Sequence, residues 1–327
     1  MLLGAFILGI HFASCKIPDH VRKATLGATE GGMASHYTMP IGNPELKKEI
    51  AKKLKIYNDL DADPERNIII TPGSDSGLLF AMMPFICPGD EVLVHDTGYP
   101  SNFMNPGLLG GVTVSVPLRE ENNYQIDIEE YYKRLTPRTK MVLLTNPNNP
   151  TATVFRRESL EKLAGFIVEN DLILVIDQAF EDAIYDDIEF ISAAALPGMW
   201  KRTVSVFSVS KGMALSGYRV GYVVADDNIM DVMYGCAVNI LGATSTASQT
   251  GVIAAMRDRS FIKEYNKIFD RRRKHVYEIF NSIPGVSMRL PESGFLSCMI
   301  NLFRFFFHPY LYIRIIILCR YNLHSTN

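Results

Sequence analysis

Paired cysteines, long apolar runs and an imbalance of charge are what this 327-residue chain does without. Its five cysteines, Cys15, Cys87, Cys236, Cys298 and Cys319, are odd in number, scattered and free of CxxC spacing. That pattern suits neither a disulfide framework nor a zinc site, and it points to a reducing compartment, with the cytoplasm as the default. The net charge is -2, which makes no electrostatic case for nucleic acid. No stretch reaches the roughly 18 uninterrupted apolar residues of a membrane span. The apolar opening Met1 to Ile10 lacks the positive start and small-residue cleavage site of an export signal, so it reads as a buried first segment. Internal repeats and low-complexity linkers are missing too, which excludes solenoids and arrays.

What is present is an alternation of apolar runs, Gly/Pro/Asn turns and helical stripes. Pro44 to Tyr57 predicts a helix, with proline in the first turn and Leu46, Ile50 and Leu54 on one face, lysines between them. Strands are predicted over Asn67 to Ile70, Glu91 to His95, Val112 to Val116, Met141 to Leu144, Leu172 to Ile176 and Val204 to Phe207. Helices are predicted from Ser74 and over Glu158 to Glu169. Arg257 to Phe280 reads as one long helix whose charges form a solvated face. Near-continuous apolar strands separated by helices give an α/β fold with a mainly parallel sheet covered on both sides. Ligands of such sheets lie beyond the carboxyl ends of the strands. Asn149, Asp177 and Lys211 all stand just past such ends.

Lys211 is the most informative of these. It lies in Ser208-Val209-Ser210-Lys211-Gly212-Met213-Ala214-Leu215-Ser216-Gly217-Tyr218-Arg219, directly after a buried strand. An ammonium is costly to remove from water unless it is paired or has shed its charge by reacting, as in a Schiff base. The segment resembles the cofactor-lysine motif of the class I/II aminotransferases, which are pyridoxal-phosphate (PLP) enzymes of fold type I. The similarity resumes at separated motifs over roughly residues 37–301.

The resemblance implies a three-layer α/β/α large domain over residues 38–250, and a smaller α+β domain built from residues 1–37 and 251–327, incomplete beyond about 301. It implies the cofactor pyridoxal 5'-phosphate, held by Lys211 through a Schiff base, with Lys211 and Asp177 catalytic. Asp177, in Ile176-Asp177-Gln178-Ala179-Phe180-Glu181, would face the pyridine nitrogen and keep the ring an electron sink. Asn149, in Asn146-Pro147-Asn148-Asn149-Pro150-Thr151, would bond the phenolic oxygen, and Tyr99 would stack on the ring. Gly73-Ser74-Asp75-Ser76 would grip the phosphate at a helix start, together with Ser208 and Arg219. Tyr37 would reach the phosphate of the neighbouring subunit, which implies a homodimer. Taken alone, Asp177 reads as a helix cap, Tyr99 as a core residue and Asn-Pro as a turn.

Some positions depart from the family pattern. Phe180 stands where many relatives carry a tyrosine whose hydroxyl touches the phenolic oxygen. Asp75 sets a carboxylate beside a phosphate, which is unfavourable unless its side chain turns away and only its N–H is used. Ala152 replaces a glycine, so the turn after Asn149 is expected to shift. His11 to Lys16 does not match the family's substrate-side loop. Beyond Asn301 the resemblance ends, and none of Arg304, Arg314 and Arg320 sits in the motif of the family's substrate-carboxylate arginine. The apolar, aromatic tail from Leu302 to Asn327 is read as a shifted or unspliced reading frame, with membrane association as a less favoured reading. The expected activity is transfer of an amino group from an amino acid to a 2-oxo acid. A PLP-dependent lyase or decarboxylase, or a PLP-binding but catalytically impaired homologue, is the alternative.

Overall fold

The computed structural model describes residues 7–8, 15–240, 242–284, 286–295, 298–301 and 314–317. Most of the expected opening segment and apolar tail lies outside these residues. Nine helices occur among the described residues: α1 (Asp19–Glu30), α2 (Pro44–Tyr57), α3 (Ser74–Met82), α4 (Pro100–Leu108), α5 (Ile128–Tyr132), α6 (Arg157–Glu169), α7 (Asp227–Ile240), α8 (Thr246–Arg257) and α9 (Ser260–Asn281). The strands are β1 (Ile7–Leu8), β2 (Ile68–Thr71), β3 (Glu91–Asp96), β4 (Val112–Pro117), β5 (Thr139–Thr145), β6 (Ile173–Asp177), β7 (Thr203–Ser208), β8 (Gly221–Val224), β9 (Val286–Met288), β10 (Cys298–Asn301) and β11 (Arg314–Ile317).

Seven strands form the main sheet in the order β2-β8-β7-β6-β5-β3-β4. All ladders are parallel except the two made by β8, which runs against both β2 and β7. Alternate side chains of each strand go to opposite faces, and both faces are buried. Val92, Val94, Met141, Leu143, Val175, Val204, Val206 and Val223 meet α3 and α7 on one face. Their neighbours along the strands pack on the other face, against α2 and α8 at one end and α6 at the other. Three layers result. A second sheet, ordered β1-β11-β10-β9, joins segments from both ends of the chain.

Local chemistry accounts for the element boundaries. The Asn43 side chain accepts the Glu45 N–H at 2.8 Å, and Pro44 fills the first turn of α2, where no N–H partner is needed. Leu46, Ile50 and Leu54 are fully buried, as their spacing predicts. Two lysines between them, Lys47 and Lys53, are buried as well.

The long charged helix differs from expectation. Arg257 ends α8 instead of starting this helix, and α9 begins three residues later at Ser260, where Asp258 accepts the Ser260 N–H at 3.0 Å. Nor is its charge run only a solvated face. Arg273 is 1% exposed, donates to Asp186 at 2.6 Å and to the Pro291 carbonyl at 2.7 Å, and stacks over Tyr185. The turn after Asn149 closes in spite of Ala152, which adopts a left-handed φ of 57° and donates its N–H to the Asn148 carbonyl at 2.9 Å.

Candidate active site at the carboxyl edge of the sheet

The parallel strands β2, β3, β5, β6 and β7 all end at one edge, and β8, running the other way, begins there. Asp177 is the last residue of β6 and Ser208 the last of β7. Lys211 follows three residues after β7, and Asn149 four after β5. Tyr99 precedes α4 beyond β3, Ser74 opens α3 beyond β2, and Arg219 stands just before β8. Residues spread over about 150 positions therefore share one rim, as the position of ligand sites in such sheets requires. Tyr37 is not packed into this cluster and is 95% exposed.

Lys211 is partly buried and has no ion-pair partner within 4 Å among the described residues. Its Nζ lies 5.7 Å from the ring centre of Phe180 and 5.9 Å from that of Phe295. Burial pushes its pKa down, against the pull of the Asp177 and Asp75 charges. The amine is thus held closer to its nucleophilic, neutral form than a surface lysine. Phe295, supplied by the segment after β9, was not singled out from the sequence. Its place in Pro291-Glu292-Ser293-Gly294-Phe295 was visible, but its contact with Lys211 was not.

Asp177 is buried, and among the described residues its side chain accepts one hydrogen bond, from the Ala179 N–H to Oδ1 at 3.0 Å. Burial raises its pKa to about 7, with the Asp75 charge adding to the rise, while the Ala179 N–H and Lys211 oppose it. Its second oxygen accepts no hydrogen bond from the protein among the described residues and is left open to the site. The buried Ser210 hydroxyl is likewise without a protein hydrogen bond there.

At the start of α3 the helix has no side-chain cap, leaving its first N–H groups available. Gly73 precedes it at φ 85°, and a β-carbon there would stand 2.3 Å from Arg219 Nη2. Only glycine lets the guanidinium lie across the helix start. Arg219 donates to the Ser216 carbonyl at 3.2 Å and the Pro72 carbonyl at 3.4 Å, and among the described residues it has no carboxylate partner. Donors without an acceptor anion, next to a helix N-terminus, fit a phosphate dianion. Ser208 Oγ accepts the Ser210 N–H at 3.1 Å.

The Asp75 side chain is placed differently from a carboxylate that simply turns to solvent. Its Oδ1 accepts the Tyr99 hydroxyl at 2.9 Å, and burial together with the Asp75 charge pushes the phenol up to about 12. Tyr99 is thus a neutral donor that ties the β3 exit to the α3 start. The polar groups present fit PLP in kind: an amine for its aldehyde, an acid for its ring nitrogen, an amide for its phenolic oxygen and N–H donors for its phosphate.

The family profile described as aminotransferase class I and II matches residues 10–301. The aspartate aminotransferase of Pyrococcus abyssi is 35% identical over 88% of this chain and 74% of that protein. The aromatic-amino-acid aminotransferase 2 of Thermococcus litoralis is 32% identical over 89% of this chain and 75% of its own length. Among solved structures, the aromatic aminotransferase from Pyrococcus horikoshii superposes with a TM-score of 0.86 at 33% identity, covering 90% of this chain and 80% of that one. The Thermus thermophilus aspartate aminotransferase with maleate gives 0.83 at 29% identity, over 91% and 77%.

Proposed function

We propose that this chain, which belongs to the class I and II aminotransferase family, carries out PLP-dependent amino transfer with Lys211 as its covalent and proton-moving residue. The observation that carries the assignment of roles is the unpaired Lys211 amine beside the buried, underpartnered Asp177 at the carboxyl edge. PLP, when bound, supplies an aldehyde that condenses with amines and a ring that accepts the electrons of a substrate Cα–H bond. Lys211 Nζ would supply the tethering amine and, when free, would take the proton from the substrate Cα and deliver it to the cofactor's former aldehyde carbon, the shift that amino transfer requires. Asp177 would hold positive charge at the ring nitrogen, and Asn149 would donate to the phenolic oxygen. The N–H groups at Ser74 and Asp75, with Ser208 and Arg219, would hold the phosphate, and Tyr99 would stack on the ring, with Phe180 beside the phenolic oxygen.

The finer reading extends to assembly and place. The nearly bare Tyr37 supports a homodimer in which it reaches the neighbouring phosphate. Residues 38–250 would form the larger unit, with 1–37 and 251–327 in the smaller, and α1 and α8 packing along their seam. The free Cys15, Cys87 and Cys236 suit the cytoplasm. Aspartate and aromatic amino acids, the donors in the names of its relatives, are the first substrates to try.

The test is the absorbance of the purified chain with PLP, compared with Lys211→Ala. A visible band that requires Lys211 and bleaches with one of these amino acids is expected, with glutamate formed from 2-oxoglutarate. Substrate turnover without any oxo-acid acceptor would indicate a lyase or decarboxylase. A Lys211-dependent band unresponsive to every amino acid would indicate an impaired homologue.

A further inference from the structure

We propose that Asp182 and Arg259 are a positioning pair for Lys211, with Asp182 filling the space over Gly212 and Arg259 holding it there from the α8–α9 junction. The inference rests on Lys211 being the reactive amine. A β-carbon on Gly212 would stand 2.2 Å from Asp182 Cβ, so the Asp182 side chain occupies the room a side chain next to Lys211 would need. Asp182 is ion-paired to Arg259, and both side chains are nearly buried. Arg259 is itself confined over the Tyr57 ring, 4.8 Å from its centre. The Asp182 carbonyl accepts the Asn266 amide at 2.7 Å, so α9 grips this residue at both backbone and side chain.

The lysine loop has little freedom to absorb a shift. Val209, Met213 and Leu215 are buried in one cluster, Ala214 N–H bonds the Lys211 carbonyl at 3.0 Å, and Leu215 N–H bonds the Val209 carbonyl at 3.2 Å. A rigid loop pressed on one side transmits displacement instead of damping it. The segment bearing Asp182 meets Lys211 in two further ways, through the Asp177 charge and the Phe180 ring. Beneath it lies a second buried pair, Lys53 with Glu181, which also takes Asn58 Nδ2 at 2.7 Å. The two pairs together are neutral, which leaves their geometry as what they contribute to Lys211.

The experiment uses the full chain with three variants: Asp182→Asn, Arg259→Lys and Gly212→Ala. Two quantities are read: the pH midpoint of Lys211 acetylation by acetic anhydride in the cofactor-free chain, mapped by mass spectrometry, and the dissociation constant for PLP. All three variants are expected to move the acetylation midpoint by about half a pH unit or more and to weaken PLP about tenfold. Gly212→Ala should show the largest effect, and adding Asp182→Gly to it should reduce the loss only to that of Asp182→Asn, because the space is restored while the pair is not. Variants that melt at lower temperature yet keep the wild-type midpoint and PLP affinity overturn the proposal. Arg259→Lys keeps the cation and carries the test if the others do not fold. A wild type that binds no PLP, with variants that still shift the acetylation midpoint, would fail the functional reading and leave the positioning pair standing.

Discussion

Asp177 sits where an ionised carboxylate finds one N–H donor and little water. In the cofactor-free chain its pKa is about 7 when folded, against 3.8 as the ordinary value. The folded state therefore holds the proton more tightly. The stability this gives is fully present below about pH 4 and is lost as pH rises through about 7. Asp177→Asn has nothing to titrate. Denaturant unfolding of the cofactor-free proteins should find the two nearly equal near pH 4, with the variant more stable by a few kcal/mol near pH 8. Equal pH profiles would mean that Asp177 finds a cationic partner in solution. The same residue was legible in the sequence as a strand-end acid, because strand, acid and turn are contiguous. Lys53 was not. A lysine in an amphipathic helix looks solvated until Glu181, well over 100 residues later, is seen to meet it beneath the sheet, with the Phe207 ring 4.5 Å away.

At the scale of elements, the strands and helices that were expected lie within two residues of their predicted limits, except that the last helix starts three residues late at Ser260, since period and turn chemistry are local signals. The α8–α9 junction was overlooked although its mark was present: Asp258 two residues before Ser260 is capping chemistry. What α9 does could not be read from its charge pattern. Arg259, just before α9, and Asn266 and Arg273, seven residues apart on it, each bond the 182–186 segment. Arg273 closes this seam by also holding the Pro291 carbonyl. Arg273→Met keeps much of the volume but strands the Pro291 carbonyl and removes the charge opposite Asp186 and Asp270. It should lower unfolding free energy by about 3 kcal/mol. A change below about 0.5 kcal/mol would show that water replaces the guanidinium.

Across the whole molecule, the site draws on six of the seven strands of the main sheet, and on a seventh contribution if Tyr37 comes from a second copy. Mixing two inactive proteins tests that contribution. Lys211→Ala and Tyr37→Phe subunits, refolded together, form some hybrids in which one site has both Lys211 and Tyr37 intact. PLP affinity or activity above the sum of the separate variants is expected. No gain from a mixture proven to contain hybrids would place Tyr37 outside the site. The fold class was legible from the alternation of apolar strands and helices, whereas the strand order and the reversed β8 were not, because pairing is a long-range choice.

That reversed strand has a consequence for how the chain is born. Among the described residues β2 has no neighbour in the main sheet except β8, which follows it by about 150 residues. At usual rates of synthesis, β2 leaves the ribosome roughly ten to thirty seconds before its partner exists. Throughout that interval Ile68, Ile69 and Ile70 have no ladder to join, and their apolar edge is open to chaperones or to other nascent chains. Growth temperature and chaperone supply should therefore govern the soluble yield of this protein more than the stability of its finished fold.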